Sequence, residues 1–417
     1  MSDAARTVTA PRYLQRFSCL AGACPDTCCQ SWRIDVDEEH FRRLEATLLA
    51  DPGEAERFQR TFQPDPQGKA FRLLVVEQGG FCAYLQADKT CEIHAKHGEP
   101  LLGNTCSTYP RALVEVGGER EAHARLSCPE AARLCLLAED ALVREEHPPS
   151  IAGRGIVAGK LSSIGDDPIA LLPVVREAMR TLLDRQAPLP TRLFYLGYLA
   201  TRLDALHASF TASRETVARE RASLDQPAAQ TQLDRSLAAA LPQTAAIAPH
   251  LVVVVLSARL RATGSPGWRQ LAETVLAADL RSSGLELADL KGAPMQLGAA
   301  RLGALHDARV AALAESDRQQ LDAALLNLVR FVVEYDYFRA STLLAWWLDL
   351  LVRLCLVRYF AIARIATGAA VGDAIVEATY KIDRAFDHDR AFVSEIGKAL
   401  AQSKMSTLAH GVSLLKF

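Results

Sequence analysis

Long apolar runs are missing from this chain of 417 residues. Residues 1–11 hold no apolar stretch, so we expect no secretory signal there. The longest apolar run, at 251–256, is too short to span a bilayer, and the apolar segment 343–365 carries four charged residues. The sequence therefore predicts a protein without a transmembrane segment, and we expect it in the cytoplasm.

An excess of charge of one sign is missing too. Lys and Arg number 47 against 49 Asp and Glu, which gives a formal net charge of −2. Because a nucleic-acid-binding chain usually carries a basic excess, we expect no nucleic-acid partner. There is also no clear internal repeat and no low-complexity tract. The 49% of hydrophobic and 23% of charged residues are typical of a globular protein, here long enough for two or three domains.

Cysteine is rare after residue 135, where only Cys355 occurs, and frequent before it. Nine cysteines lie in the first 135 residues, and four of these fall within the eleven residues 19–29. In a cytoplasmic protein, such thiols are better interpreted as metal ligands than as disulfides. Cys28 and Cys29 are adjacent, and neighbouring cysteines rarely bond to each other without strain.

The candidate metal ligands are eight thiols that recur at turns of the chain. They are Cys19, Cys24, Cys28, Cys29, Cys82, Cys91, Cys106 and Cys128. A zinc ion or a [4Fe–4S] cluster takes about four protein ligands, so the sequence leaves open which of the eight bind. We interpret Cys135 as packed in a helix, and His94 and His97 as surface residues that are weaker candidates for zinc.

Residues 1–147 are predicted to form a small cysteine-rich α+β region that binds metal. Its strands are predicted from alternating polarity, its helix from acidic residues in the first turn, and its hairpin from a glycine pair. The predictions are strands at 32–37 and 72–77, a helix at 37–49, a hairpin at 112–126 and a surface connection at 51–70.

Residues 148–417 are predicted to form an all-helical domain, since apolar residues recur at helical spacing between Gly and Pro breaks. We interpret 214–230 as a mobile loop. The glycine-rich segment 153–159 is interpreted as a linker rather than a nucleotide loop, because no strand precedes it. The fold class is therefore mainly α. The predicted helices cover 168–184, 193–210, 231–262, 268–282, 317–339, 341–366 and 371–402.

Three further features are polar or aromatic. Residues 334–337, Glu-Tyr-Asp-Tyr, are expected on a helix with a solvated acidic face. Trp346-Trp347 is expected in the core rather than in a cation–π site. Arg111 is expected either to bind a carboxylate or to hold the loop of Cys106, and the sequence does not separate the two roles.

The cysteine motifs between residues 13 and 136 occur in a fixed order. They are Phe17-Ser18-Cys19, Cys24-Pro25-Asp26-Thr27-Cys28-Cys29-Gln30-Ser31-Trp32, Cys82-Ala83-Tyr84-Leu85, Cys91-Glu92-Ile93-His94, Cys106-Ser107-Thr108-Tyr109-Pro110-Arg111 and Leu126-Ser127-Cys128-Pro129-Glu130. This series resembles the flagellin lysine-N-methylase family, part of a wider group with a CxxCxxCC-type zinc- or iron-chelating region. The first motif departs from the wider group's spacing, with four residues between Cys19 and Cys24 and three between Cys24 and Cys28.

The resemblance implies methyl transfer from S-adenosylmethionine to a protein lysine, with flagellin as the partner. It also implies an iron–sulfur cluster, of the [4Fe–4S] type, bound by the cysteines, with zinc as the alternative. Neither the S-adenosylmethionine site, the catalytic residues nor the oligomeric state follows from it. The rival hypotheses are a protein in which zinc or iron only holds the N-terminal region together, and a metal-delivery protein.

Lysine methylation needs a neutral amine as nucleophile, so its site must lower the pKa of the lysine or supply a base. We expect the helical half to bind the protein substrate, because it is the longer part and can build a groove. The chemistry is then expected where the helical half meets the cysteine-rich region, since proximity supplies much of the rate.

Overall fold

The computed structural model describes most of the chain, and within the described residues helices dominate, so the mainly α class is confirmed. The described residues are 7–30, 34–75, 80–154, 157–161, 168–209, 211–241, 273, 275, 277–284, 295–338, 341–388 and 407–415. The main helices are α1 Arg12–Gln15, α2 Glu38–Leu48, α3 Ala55–Thr61, α4 Glu92–His97, α5 Asn104–Thr108, α6 Pro129–Leu136, α7 Pro168–Leu183, α8 Leu189–Ala208, α9 Arg214–Ser223, α10 Pro227–Ala240, α11 Met295–Ala312, α12 Glu315–Tyr335, α13 Leu343–Ile365, α14 Val371–His388 and α15 Leu408–Leu414.

The strands form two separate sheets. They are β1 Val8–Pro11, β2 Ile34–Val36, β3 Phe62–Gln63, β4 Arg72–Leu74, β5 Arg111–Val116, β6 Glu119–Ala124, β7 Arg144–His147 and β8 Val157–Leu161. The larger sheet has the order β7-β1-β6-β5-β8 and the smaller one the order β2-β4-β3. Both the strands predicted near 32–37 and 72–77 and the predicted hairpin are therefore present.

The larger sheet is built on the hairpin of β5 and β6. The hairpin turns at Gly117 and Gly118, whose φ values of 58° and 91° lie in a region that a residue with a Cβ rarely adopts. Strand β1 runs parallel to β6 and antiparallel to β7, and β8 runs parallel to β5. Strand β8 includes part of 153–159, so the linker interpretation is wrong there. It also adds a strand from beyond residue 147, where only helices are expected.

The smaller sheet belongs to a small hydrophobic core formed by residues between 34 and 102. Helix α2 covers its strands and begins after Asp37, whose carboxylate accepts a hydrogen bond from the backbone N of His40 at 3.0 Å. The apolar side chains of α2 recur at helical spacing, so one face of the helix is buried in this core. The predicted helix at 37–49 is therefore confirmed.

Two segments interpreted as irregular contain helices. The connection at 51–70 includes α3, which buries Phe58 in the small core. The expected mobile loop at 214–230 includes α9, whose first turn is capped by Ser213 and whose Val217 is buried. A capping box and one buried side chain stabilise α9, and two buried side chains stabilise α3. Neither signal depends on long periodicity. The helices predicted at 231–262, 268–282 and 371–402 lie partly outside the described residues.

A large hydrophobic core joins the five-stranded sheet to the long helices. Helix α13 lies at its centre and is buried over most of its circumference. Arg353 of α13 donates to Asp383 of α14, with 2.6 Å between Nε and Oδ1, and both side chains are buried. Trp346-Trp347 is 1% and 0% exposed, which confirms its place in the core. The domain boundary at 147 stays a prediction. No helix in the described part of the chain combines the length and apolarity needed to cross a membrane.

The indole of Trp347 requires glycine on two neighbouring helices. Its Nε1 donates to the carbonyl of Leu193 in α8 at 2.8 Å. A Cβ added to Gly197 of α8 would lie 2.4 Å from Trp347 Cε2, and one added to Gly411 of α15 would lie 2.1 Å from Cζ3. Real Cβ atoms do not approach other heavy atoms so closely, so the two glycines set how near α8 and α15 come to α13.

Replacing Gly197 with Ala should lower the melting temperature of the protein. Helix propensity alone would stabilise the variant by about 1 kcal/mol, but overpacking against a buried indole costs about 1–3 kcal/mol. The control is Gly103→Ala, whose Cβ would come no closer than 3.9 Å to Val36. Thermal unfolding followed by circular dichroism measures both variants. A Gly197→Ala protein as stable as the wild type would contradict this packing.

Candidate functional site: a pocket beside the cysteine loop

Four of the candidate thiols belong to the small core. Cys82 is buried in it, and Cys29, Cys91 and Cys106 pack against its surface. The backbone N of Cys82 donates to the carbonyl of Cys29 at 2.9 Å, which brings two distant turns together. Burial raises the pKa of Cys106, and the thiols of Cys82 and Cys91 add to this effect. We call Cys29, Cys82, Cys91 and Cys106 the small-core thiols.

The other thiols lie towards the large core. Cys128 packs against that core and precedes the first turn of α6. Burial raises the pKa of Cys128 to about 12, with added contributions from Cys24 and Cys28. Burial also raises the pKa of Cys24, to which Cys19 and Cys28 contribute. The cysteine motifs thus fold into two neighbouring groups of thiols.

Cys28 lies between the two groups, since it acts electrostatically on members of both. A hydrogen bond with Cys29 and the nearby guanidinium of Arg384 lower the pKa of Cys28 to about 7, although burial opposes them. The same hydrogen bond raises the pKa of Cys29. Cys28 is therefore the candidate thiol closest to the thiolate form that a soft metal binds.

The donor set suits a soft metal or an iron–sulfur cluster, because thiols from distant turns meet in one region beside cationic groups. In the described residues, no three His, Cys, Asp or Glu side chains are already arranged to hold a metal ion. The metal ligands therefore stay a prediction. His94 and His97 are exposed on α4, and Cys135 is buried in the large core as expected.

The residues 19–30, here called the cysteine loop, are tied to the helical half by Arg384 of α14. This buried side chain donates from Nη1 to Asp26 Oδ2 at 2.7 Å and from Nε to the carbonyl of Ser127 at 3.2 Å. Asp26 in turn accepts from Gln30 Nε2 at 2.9 Å and from the backbone N of Thr27 at 2.7 Å. One guanidinium thus holds both the cysteine loop and the segment that leads to Cys128.

A second cation fixes the cysteine loop from the other side. Lys89 Nζ donates to the carbonyls of Cys24 and Pro25, each at 3.1 Å. Arg111 lies 4.8 Å from the ring centre of Phe17. Which of its two expected roles it takes stays a prediction. Burial lowers the pKa of Arg111, while Cys19 and Cys128 oppose that effect.

A pocket of about 670 Å³ opens between the cysteine loop, the start of α6 and one face of α14. We call it the Tyr380 pocket. Its position is where the helical half meets the cysteine-rich region, as expected for the site of chemistry. Its lining residues are Leu20, Pro25, Asp26, Gln30, Phe81, Pro129, Glu130, Arg133, Asp373, Val376, Glu377, Tyr380 and Lys381.

Most charges in the Tyr380 pocket are already paired. Glu130 accepts two hydrogen bonds from Arg133, each at 2.7 Å, and Glu377 accepts one from Lys381 at 2.7 Å. Asp26 pairs with Arg384, as described above. Asp373 is exposed and forms no ion pair with another described residue. Glu377 also accepts from Arg364 Nε at 2.9 Å. Asp373 is therefore the carboxylate of the pocket that could attract a cationic guest.

No motif in the sequence predicts that α14 forms a wall of the pocket. A signal was present, because residues 373, 376, 377, 380, 381 and 384 recur at helical spacing and so share one face. That face mixes acidic, basic and aromatic side chains, whereas a solvated helix face usually lacks a buried tyrosine. The helical periodicity of these residues predicts the helix but not the chemistry of its polar face.

The cluster at 334–337 differs from its expected solvated face. Glu334 is 3% exposed and pairs with Arg144 at 3.1 Å and with Arg180 at 3.0 Å. The acidic side of α12 faces arginines of the large sheet and of α7 rather than water, so the expectation is wrong for Glu334. A single helix pattern does not show which neighbouring element carries the opposite charge.

Comparison with known proteins found one family model and several individual relatives. The profile of the FliB lysine N-methylase C-terminal domain matches residues 177–414, more than half of the chain. The chain belongs to the FliB lysine N-methylase family. The family match includes α14, so one wall of the Tyr380 pocket lies within it. The lysine-N-methylase family expected from the sequence is thereby confirmed.

Individual relatives match over a shorter length. A lysine-N-methylase of Salmonella typhimurium is 29% identical over 140 residues, which are 34% of this chain and 35% of that protein. The flagellar biosynthetic protein FliU of Salmonella muenchen is also 29% identical over 140 residues, 83% of its length. The match thus spans about a third of the Salmonella typhimurium lysine-N-methylase. No solved structure matches the chain.

Replacing Arg384 with Met should loosen the cysteine loop. A hydrogen bond to a charged group contributes about 1.5–3 kcal/mol, so opening of the loop should become about tenfold more frequent or more. The measurement is the rate at which a thiol reagent labels metal-free protein. Arg42→Met, which removes an exposed arginine of α2, is the control. Equal labelling rates for Arg384→Met and wild type would contradict the role of Arg384 in holding the cysteine loop.

Replacing a small-core thiol with Ala should remove the bound metal. Cys29→Ala and Cys106→Ala are expected to lose metal, because alanine offers no ligand, whereas Cys135→Ala should retain it. Metal analysis of protein purified without oxygen measures the loss, and visible absorbance distinguishes an iron–sulfur cluster from zinc. Full metal content in both ligand variants would exclude them from the site.

Proposed function

We propose that the protein is a lysine N-methyltransferase that modifies a protein lysine in the Tyr380 pocket. The observation that carries the proposal is the shared construction of this pocket. One wall is α14, within the region that matches the lysine N-methylase family, and the other is the cysteine loop. A site built from both halves agrees with the expectation that chemistry occurs where they meet.

The proposed methyl donor is S-adenosylmethionine. In the reaction, a bond forms between the lysine Nζ and the methyl carbon, and the bond from that carbon to the donor's sulfur breaks. The electron pair of the broken bond stays on sulfur, and the nitrogen gives up one proton. This chain must therefore bind the lysine, exclude water from the reacting atoms and receive that proton.

The proposed metal group is an iron–sulfur cluster of the [4Fe–4S] type, with zinc as the alternative. When bound by the candidate thiols, it would cross-link the turns that carry them. Arg384 and Lys89 hold that loop against α14 and the turn at residue 89 without any metal. Arg384, Lys89 and the metal would then stabilise the same wall of the pocket.

The proposed partner is flagellin, and the proposed location is the cytoplasm. One relative carries the name lysine-N-methylase and another the name flagellar biosynthetic protein. A folded partner needs only to present one lysine side chain, because the pocket is of a size that binds a side chain rather than a domain. The surrounding helices would contact the rest of flagellin.

Methyl transfer to flagellin tests the proposal. Protein purified without oxygen should transfer labelled methyl groups from S-adenosylmethionine to flagellin lysines, detected by mass spectrometry of the digested product. Flagellin with acetylated lysines is the matched control, since its amines are no longer nucleophilic. No label on flagellin, from protein that retains its metal, would contradict the proposal and favour a purely structural or delivery role for the metal.

A further inference from the structure

We infer that the hydroxyl of Tyr380 contacts the amino group of the acceptor lysine, with Leu20 and Phe81 lining the path of its apolar stem. The inference rests on the proposed function and assigns residues to substrate binding. It depends on three observations in the Tyr380 pocket: a buried tyrosine whose hydroxyl has no partner among the described residues, a carboxylate without a cationic partner among them, and two exposed apolar side chains.

The hydroxyl of Tyr380 makes no hydrogen bond to any described residue, although the side chain is only 5% exposed. Two other tyrosines use theirs: half-buried Tyr109 donates to Ser127 Oγ at 3.1 Å and buried Tyr195 to Asp234 Oδ1 at 3.0 Å, whereas the buried hydroxyl of Tyr84 has no partner among the described residues. A buried tyrosine hydroxyl usually has a partner. Because Tyr380 lines a pocket, a bound ligand is the natural partner.

The position of Tyr380 is fixed before any ligand arrives. The guanidinium of Arg384, one helical turn further along α14, lies 5.2 Å from its ring centre. Burial raises the pKa of Tyr380, with Asp26 and Glu377 adding to the effect, so the phenol stays protonated at neutral pH. A protonated hydroxyl can accept a hydrogen bond from an ammonium group, and it can donate a hydrogen bond to a neutral amine.

One carboxylate of the pocket favours a cation. Of its four carboxylates, Glu130 is paired with Arg133, Glu377 with Lys381 and Arg364, and Asp26 with Arg384. Asp373 has no cationic partner among the described residues. An anionic group would be repelled by Asp373, whereas a lysine ammonium would supply its missing partner.

Leu20 and Phe81 line the pocket although they are 38% and 40% exposed. Lysine has a stem of methylene groups that packs against apolar surface while its charged end reaches polar partners. Two apolar side chains beside a polar end therefore match the shape and chemistry of a lysine side chain. A short cation without a stem would leave both apolar side chains uncovered.

Direct binding of flagellin tests the inference without any methyl transfer. Metal-loaded wild-type protein should bind flagellin at least about tenfold more tightly than flagellin with acetylated lysines, as expected for a hydrogen-bonded charged group. Tyr380→Phe should lose most of this preference, and Asp373→Asn should weaken it and reduce its dependence on salt. Tyr198→Phe is the matched control, since this half-buried tyrosine of α8 lies outside the pocket. Biolayer interferometry gives each affinity.

Kinetics separate this inference from the proposed function. If wild type methylates flagellin, Tyr380→Phe should raise KM with a smaller change in kcat, because a contact made before the transition state affects substrate binding. Unchanged KM and unchanged binding preference in Tyr380→Phe would overturn the inference and leave the methyltransferase proposal intact. A wild type that prefers unmodified lysines but transfers no methyl group would overturn the proposed function and support the lysine-binding pocket.

Discussion

The ion pair between Arg384 and Asp26 holds the cysteine loop against α14, and the Tyr380 pocket lies between these two elements. It joins residues 358 positions apart in sequence, and the same guanidinium also reaches the carbonyl of Ser127. Without it, the cysteine loop would have no charged contact with α14. Because Arg384 also contacts the ring of Tyr380 and lowers the pKa of Cys28, one side chain influences the thiols, the tyrosine and the pocket wall together.

The cysteines occupy the boundary between two hydrophobic cores. The small-core thiols contact one core and Cys128 contacts the other, with Cys28 electrostatically linked to both groups. The small core is built on a three-stranded sheet and short helices, so its apolar contacts alone give limited stability. A metal bound at this boundary would restrain both cores at once, which makes the metal a structural component of the pocket whatever its chemical role.

The sequence predicted those features that depend on local pattern. The glycine pair predicted the hairpin, Asp37 and the acidic turn after it predicted α2, and the thiol-rich motifs predicted where the site lies. It did not predict the α14 wall, the burial of Glu334 or strand β8. Each of these depends on which distant element lies opposite, as Asp26 does for Arg384, and helical or strand periodicity carries no such information.

A lysine methyltransferase places opposite demands on its pocket. Negative charge attracts the ammonium form, yet it also raises the pKa of the amine and so opposes the loss of the proton. In the Tyr380 pocket the carboxylates closest to the tyrosine, Asp26 and Glu377, are neutralised by Arg384 and Lys381. The unpaired Asp373 lies seven residues earlier, about 10 Å along the helix axis. On the proposed function, Asp373 near the start of α14 would attract a cation. The part of α14 beside the cysteine loop would then bind the amine with a weaker preference for its charged form.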